Sequence, residues 1–136
     1  MSFETLPYSA AESAAALSGA SARSYSTGKS PGLASDGTNL APISRLALNV
    51  SVSGYSAGEV DLIVQTAPSE ADADGEWVDT DSRINGIVAN GNYTLEVTDP
   101  IMDKVRIAYV PNTGASAGAT FTGTVTGRWL CDGPIN

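Results

Sequence analysis

Between Arg45 and Ala67 the chain reads RLALNVSVSGYSAGEVDLIVQTA, and its apolar residues recur at every second position. Leu46, Leu48, Val50 and Val52 fall on one face of an extended chain, with Ala47, Asn49 and Ser51 on the other. After Gly54–Gly58 the alternation resumes, with Val60, Leu62 and Val64 opposite Asp61 and Gln65. A period of two with polar partners makes strands that are buried on one face and wet on the other. Two such strands around a short Gly-containing loop predict a hairpin whose apolar face the rest of the chain must cover.

The downstream sequence continues in the same way. An acidic loop, Pro68–Gly75, closes on the turn dipeptide Asp74-Gly75, and Glu76-Trp77-Val78 opens a short strand whose indole is expected to cap or fill the core. Asn85-Gly86 and Asn90-Gly91 predict turns on either side of Ile87-Val88. Tyr93, Leu95 and Val97 alternate with Thr94 and Glu96; Val105, Ile107 and Tyr109 alternate with Arg106 and Ala108. In the last strand Phe121, Val125 and Trp129 share one face, with Gly123 and Gly127 between them, and Thr120, Thr122, Thr124, Thr126 and Arg128 share the other. A threonine ladder is a solvated face or one that meets another subunit. No convincing helix interrupts about seven or eight strands in about ninety residues, the size of a small sandwich. The expected fold is all-β, an antiparallel β-sandwich of jelly-roll or immunoglobulin-like type over residues 44–136, with a partly closed barrel as the alternative.

Residues 1–43 differ in kind. From Ser9 to Ser35 the chain is mostly Ser, Ala and Gly. Ser9-Ala10-Ala11-Glu12 has capping-box spacing and could start a short helix ending near Gly19, marginal by itself for lack of an apolar stripe. One reading is a disordered leader. The other is an extended N-terminal arm that orders on a neighbouring subunit, with Phe3, Leu6, Tyr8 and Tyr25 as its foremost anchors beside Leu17 and Leu33.

Charge and composition exclude several functions. The 136 residues carry 7 basic and 15 acidic side chains, for a formal net charge of −8. Scattered Lys and Arg argue against nucleic acid as a partner and against an anionic membrane surface. With no His and a single Cys, Cys131, the chain has no intrachain disulfide, no His-dependent triad and no zinc site of ordinary type. Glu4 and Glu12 stand where a secretion signal would be basic, so synthesis in the cytoplasm is expected, and with it a soluble or assembled product.

Motifs that carry chemistry fail on context. Gly114-Ala115-Ser116-Ala117-Gly118 matches a nucleophile elbow but lies between strands in a chain without His. Gly28-Lys29-Ser30 lacks the upstream glycine of a phosphate loop, where Arg23 stands instead. Among the clustered carboxylates, Asp72, Asp74 and Glu76 are a weak candidate for Ca²⁺, without EF-hand order; a solvated acidic loop is the simpler reading. The same acids would be the minimum for a glycosidase, but no cleft pattern accompanies them. Asn92-Tyr93-Thr94 is a glycosylation sequon, given no weight where no secretion signal is evident. Tyr55, Trp77, Tyr93, Tyr109 and Trp129 could stack sugars, yet most sit on or beside the core face. No catalytic residues and no cofactor are expected.

The run VDLIVQTAPSEADADGEWVDTDSRING, followed by KVRIAYVPNTGASAGATFTGTVTGRW, resembles a pattern in virion proteins of tailed bacteriophages. In such proteins a "DL-V-TS" strand leads to an Asp/Gly loop, a Trp, a "VRI-YV" strand and a Thr-rich strand. Here the matching residues are Asp61-Leu62, Gln65-Thr66, Asp74-Gly75, Trp77, Val105-Arg106-Ile107 and Thr122–Thr126, within residues 45–130. The resemblance implies a capsid decoration or cement protein on the virion surface. It would bind the major capsid protein, form homotrimers, and grip the shell through its N-terminal arm. The Thr120–Arg128 face would be a subunit contact. A carbohydrate- or receptor-binding module and a neck or tail accessory protein are the alternatives.

Overall fold

A computed structural model of the chain describes residues 9–11, 15–16, 24–26, 28, 46–68, 74–112 and 121–131. The strands are β1 (Ser9–Ala11), β2 (Ala15–Ala16), β3 (Ser24–Tyr25), β4 (Leu46–Ala57), β5 (Glu59–Ala67), β6 (Val78–Ile87), β7 (Gly91–Val97), β8 (Lys104–Asn112) and β9 (Thr122–Cys131), with a 3-10 turn at Asp74–Glu76. No α-helix occurs among the described residues. The fold is an antiparallel β-sandwich, as the alternation predicts.

Each sheet has three long strands, β9-β4-β7 in one and β8-β5-β6 in the other. The leader adds to both, with β1 and β2 on the outer edge of β9 and β3 on the outer edge of β8. If β1 and β2 are taken as one interrupted strand, the two orders are β1/β2-β9-β4-β7 and β3-β8-β5-β6. Every link but β5–β6 then passes from one sheet to the other. That is the winding of an eight-stranded jelly roll, and it differs from the ABED/CFG order of an immunoglobulin domain.

The core follows from the alternation. Leu48, Val50, Val60, Val64, Val105, Ile107, Phe121, Val125 and Trp129 have no exposed surface, and Leu62, Ile87 and Tyr109 have almost none. Burying each such side chain is worth about 1.5–3 kcal/mol, the term that holds the two sheets face to face. On β9 large and small residues alternate inward, from Phe121 to Gly123, Val125, Gly127 and Trp129. A Cβ built on Gly127 would lie 2.5 Å from Ile107 Cδ1, so the glycine is a socket for the isoleucine of the facing sheet. Gly123 receives the Phe121 ring in the same way, at 3.1 Å from where its Cβ would be.

The expected β4–β5 hairpin does not form. β4 pairs with β9 and β7, β5 pairs with β8 and β6, and their apolar faces meet across the core. Period-two alternation sets which side of a strand is buried but not which sheet the strand joins. The crossing is built locally: the β4–β9 register shifts between Ser53 and Ala57, and Gly54 and Gly58 take φ of 64° and 82°. Such angles are open to glycine and costly to other residues. Tyr55 clasps the corner, its hydroxyl donating to the Gly58 carbonyl at 2.7 Å and its ring 5.7 Å from that of Phe121.

Two further expectations are corrected. Ser9–Ala11 and Ala15–Ala16 are strand, not the start of a helix, because their backbone groups are satisfied by pairing with β9. Asn85-Gly86 does not end a strand; β6 runs through it to Ile87, with Gly86 at φ 69° absorbing the irregularity.

Gly127 yields a direct test. Gly127→Ala is expected to cost about 1–3 kcal/mol by overpacking, since its backbone needs no positive φ and the clash with Ile107 is the whole effect. Urea unfolding measures it; an unchanged midpoint would mean the two sheets are not packed this closely.

Candidate functional site

Gln65, Arg106 and Ala108 point away from the core, on the outer face of the β8-β5 pair, yet they are buried, Arg106 to 6% exposure. An outward arginine on a solvated face would stay wet, so something must cover it. Tyr25 of β3 lies on one part of the guanidinium, 3.8 Å from its carbon to the ring centroid, and Trp77 lies over it at 4.4 Å. Arg106 Nε donates to Gln65 Oε1 at 2.8 Å, and Gln65 Nε2 donates to Asp79 Oδ1 at 2.7 Å, which links the cation through an amide to a carboxylate. Each cation–π contact is worth about 0.5–2 kcal/mol, the upper end when water is excluded.

The backbone completes this latch. Ser26 N donates to the Ile107 carbonyl at 2.9 Å, and Ile107 N donates to Ser26 Oγ at 2.8 Å, so the chain stays paired one residue beyond β3. Gly28 abuts the six-membered ring of Trp77, where a Cβ would come within 3.1 Å. Trp77, expected to cap or fill the core, instead precedes β6 and closes this outer cluster, its ring face taken up by Arg106. Arg106, Gln65 and Asp79 were missed as a group by sequence reasoning. The available signals were the charge inside VRIAYV and the polar pair Gln65-Thr66 inside an apolar strand.

A second surface is the outer face of the other sheet. Thr122, Thr124, Thr126 and Arg128 do share it, and the register sets them in rows: Thr124 beside Ser53; Thr126 beside Ser51, which has Asn92 on its other side; and Arg128 beside Asn49, which has Thr94 on its other side. Ser51 Oγ donates to Asn92 Oδ1 at 2.8 Å and Asn49 Nδ2 to Thr94 Oγ1 at 3.3 Å. In a protein of charge −8 this face is nearly neutral, with Arg128 and Glu96 its charged members among the described residues.

A third feature is an open cleft of about 300 Å³ lined by Thr66, Asp79, Thr80, Asp81, Asp99 and Pro100. Apart from the exposed Asp81, its polar side chains are bound up in the fold. Ser82 Oγ donates to Asp99 Oδ2 at 2.9 Å, Thr80 Oγ1 to the Val64 carbonyl at 2.8 Å, and Thr66 Oγ1 to the Lys104 carbonyl at 2.9 Å.

Of the other expected site residues, Phe3, Leu6, Tyr8, Asp72 and Thr120 lie outside the described residues. Tyr25, expected on a neighbouring subunit, stacks on Arg106 of its own chain. Asp74 begins the 3-10 turn and Glu76 is exposed at its end; no group of three acidic, His or Cys side chains suited to a metal occurs among the described residues. Tyr109 and Trp129 are buried in the core, Tyr55 and Tyr93 pack against it, and Trp77 is engaged by Arg106, so these five rings make no exposed platform. The chain matches no protein-family model and no curated protein.

The latch is testable by a double-mutant cycle with Trp77→Ala and Arg106→Met. A coupling of about 1 kcal/mol in unfolding free energy is expected for a partly desolvated cation–π pair. Strict additivity would mean that the ring and the guanidinium do not interact.

Proposed function

We propose that the protein is a structural component of a bacteriophage virion, a decoration protein that cements the head by bridging subunits of the major capsid protein. The observation that carries this reading is a jelly roll whose first strands come from a Ser/Ala/Gly-rich leader that joins it by strand addition to sheet edges. Jelly rolls recur in viral capsid and lectin domains. A segment that binds through its backbone spreads over a large surface without a dedicated pocket, which suits a cement better than a catalyst. The nearly neutral Thr/Ser/Asn face offers a broad contact that a strongly acidic partner surface would not repel.

A neck or tail accessory role rests on the same features and differs in location. The carbohydrate-binding reading has less support, because the aromatic residues it needs are spent on the core and on Arg106.

Linkage supplies the experiment. A ligand that binds only the assembled shell at 100 times its dissociation constant stabilises it by about 2.7 kcal/mol per site. Capsids carrying the protein should therefore disrupt at a higher temperature than capsids stripped of it, and adding the protein back should restore the difference. Identical disruption temperatures would remove the cement reading.

A further inference from the structure

The two sheets have four lateral edges, and three of them are managed. β1 and β2 cover β9, and β3 covers β8. β6 is broken by two register shifts against β5 and carries Asp79, Asp81 and Arg83. Covering strands, bulges and charges are the usual devices that keep a sheet edge from pairing with another chain. β7 has no bulge and, among the described residues, no covering strand, and its one charge is Glu96. It runs in unbroken register with β4 from Gly91↔Val52 to Val97↔Leu46, contains no Pro and no Lys, and no strand among the described residues pairs with its outer side.

We propose that this edge seats a second copy of the same chain, β7 against β7 in antiparallel register, extending the β1/β2-β9-β4-β7 sheet across a two-fold axis. Three observations favour a second copy over another partner. First, the inward residues of β7 are under-buried: Tyr93, Leu95 and Val97 are only half-buried, while their partners Val50, Leu48 and Leu46 on β4 are 0%, 0% and 3% exposed. A second β7 would lay the same three side chains against them. Second, the strand is self-complementary. A two-fold axis at Thr94 sets Tyr93 opposite Leu95 and Asn92 opposite Glu96; an axis at Leu95 sets Tyr93 opposite Val97 and Thr94 opposite Glu96. In either register Glu96 meets an uncharged polar residue and never its own copy, so the pairing avoids like charges directly opposed. Third, the isologous contact joins the two outer Thr/Ser/Asn faces into one continuous surface whose charged members among the described residues are Arg128 and Glu96. The inference does not depend on a virion role, and its two-fold contact differs from the trimer that the phage resemblance implies.

The test is sedimentation velocity on the full chain from low to high micromolar concentration. The wild type should show a concentration-dependent dimer. Thr94→Lys and Thr94→Glu alter an exposed outward position; with the axis at Thr94 each should weaken the dimer at least tenfold by opposing like charges, and with the axis at Leu95, where residue 94 faces Glu96, Thr94→Glu alone should do so. An equimolar mixture of the two should restore dimers, which also shows that both variants are folded. Thr124→Lys, on the same outer face but on the covered strand β9, should leave the dimer unchanged. A wild type that stays monomeric, a trimer, or a dimer that ignores the Thr94 substitutions would overturn the proposal. A monomer whose β7 amides become protected only when an extended peptide from another protein is added would overturn the choice of occupant.

Discussion

A β-sheet ends in rows of backbone N–H and C=O groups that must find partners, and this chain is arranged around that requirement. Its core strands make two three-stranded sheets, which expose four edges in a small body. The leader relieves two of them: Ser9–Ala11 and Ala15–Ala16 serve β9, and Ser24–Tyr25 serves β8. Small Ser and Ala residues suit that task, since strand addition depends on the backbone and asks little of the side chains. A segment with the composition of a linker therefore supplies the first strands of a jelly roll.

The leader is held by more than its ladder. β3 is two residues long, too short to hold a segment by backbone pairing, and the Tyr25–Arg106–Trp77 stack adds a side-chain grip at the point where pairing runs out. The grip also resolves a local cost. A cation taken out of water needs compensation, and Arg106 receives it from two ring faces and from Gln65, which passes the interaction on to Asp79. The core, the outer latch and the leader are thus coupled through β8. Ile107 fills the Gly127 socket on one side, and Arg106, its neighbour, carries the latch on the other.

Much of the sandwich was legible because period-two alternation is a direct consequence of strand geometry. The inward residues of β4, β5, β8 and β9 and the outward Thr ladder all followed from it. The crossing at Gly54–Gly58 was not legible as such: glycines between alternating runs suit a hairpin as well as a bulged corner, and only the pairing partners decide. The leader strands carry no alternation to read, since Ser and Ala contrast little in hydrophobicity. Their structure is imposed by the edges they meet, which override the capping-box spacing of Ser9-Ala10-Ala11-Glu12. Trp77 is expected to cap or fill the core because a large aromatic is ordinarily there, and it lies outside because its partner Arg106 is on the outer face of β8. The burial of both comes from residues distant in sequence.

The body has a tightly packed core, a nearly neutral Thr/Ser/Asn face and one edge strand, β7, that no described strand covers. The central claim is that leader and sandwich form one folded unit. Native-state amide exchange on the full chain tests it most directly, at Ser26 and at its partner Ile107. The account predicts that the Ser26 amide is protected far beyond an unstructured peptide and that Trp77→Ala lowers its protection while leaving the β4 amides slow. Exchange of Ser26 at the free-peptide rate, beside a protected core, would contradict it.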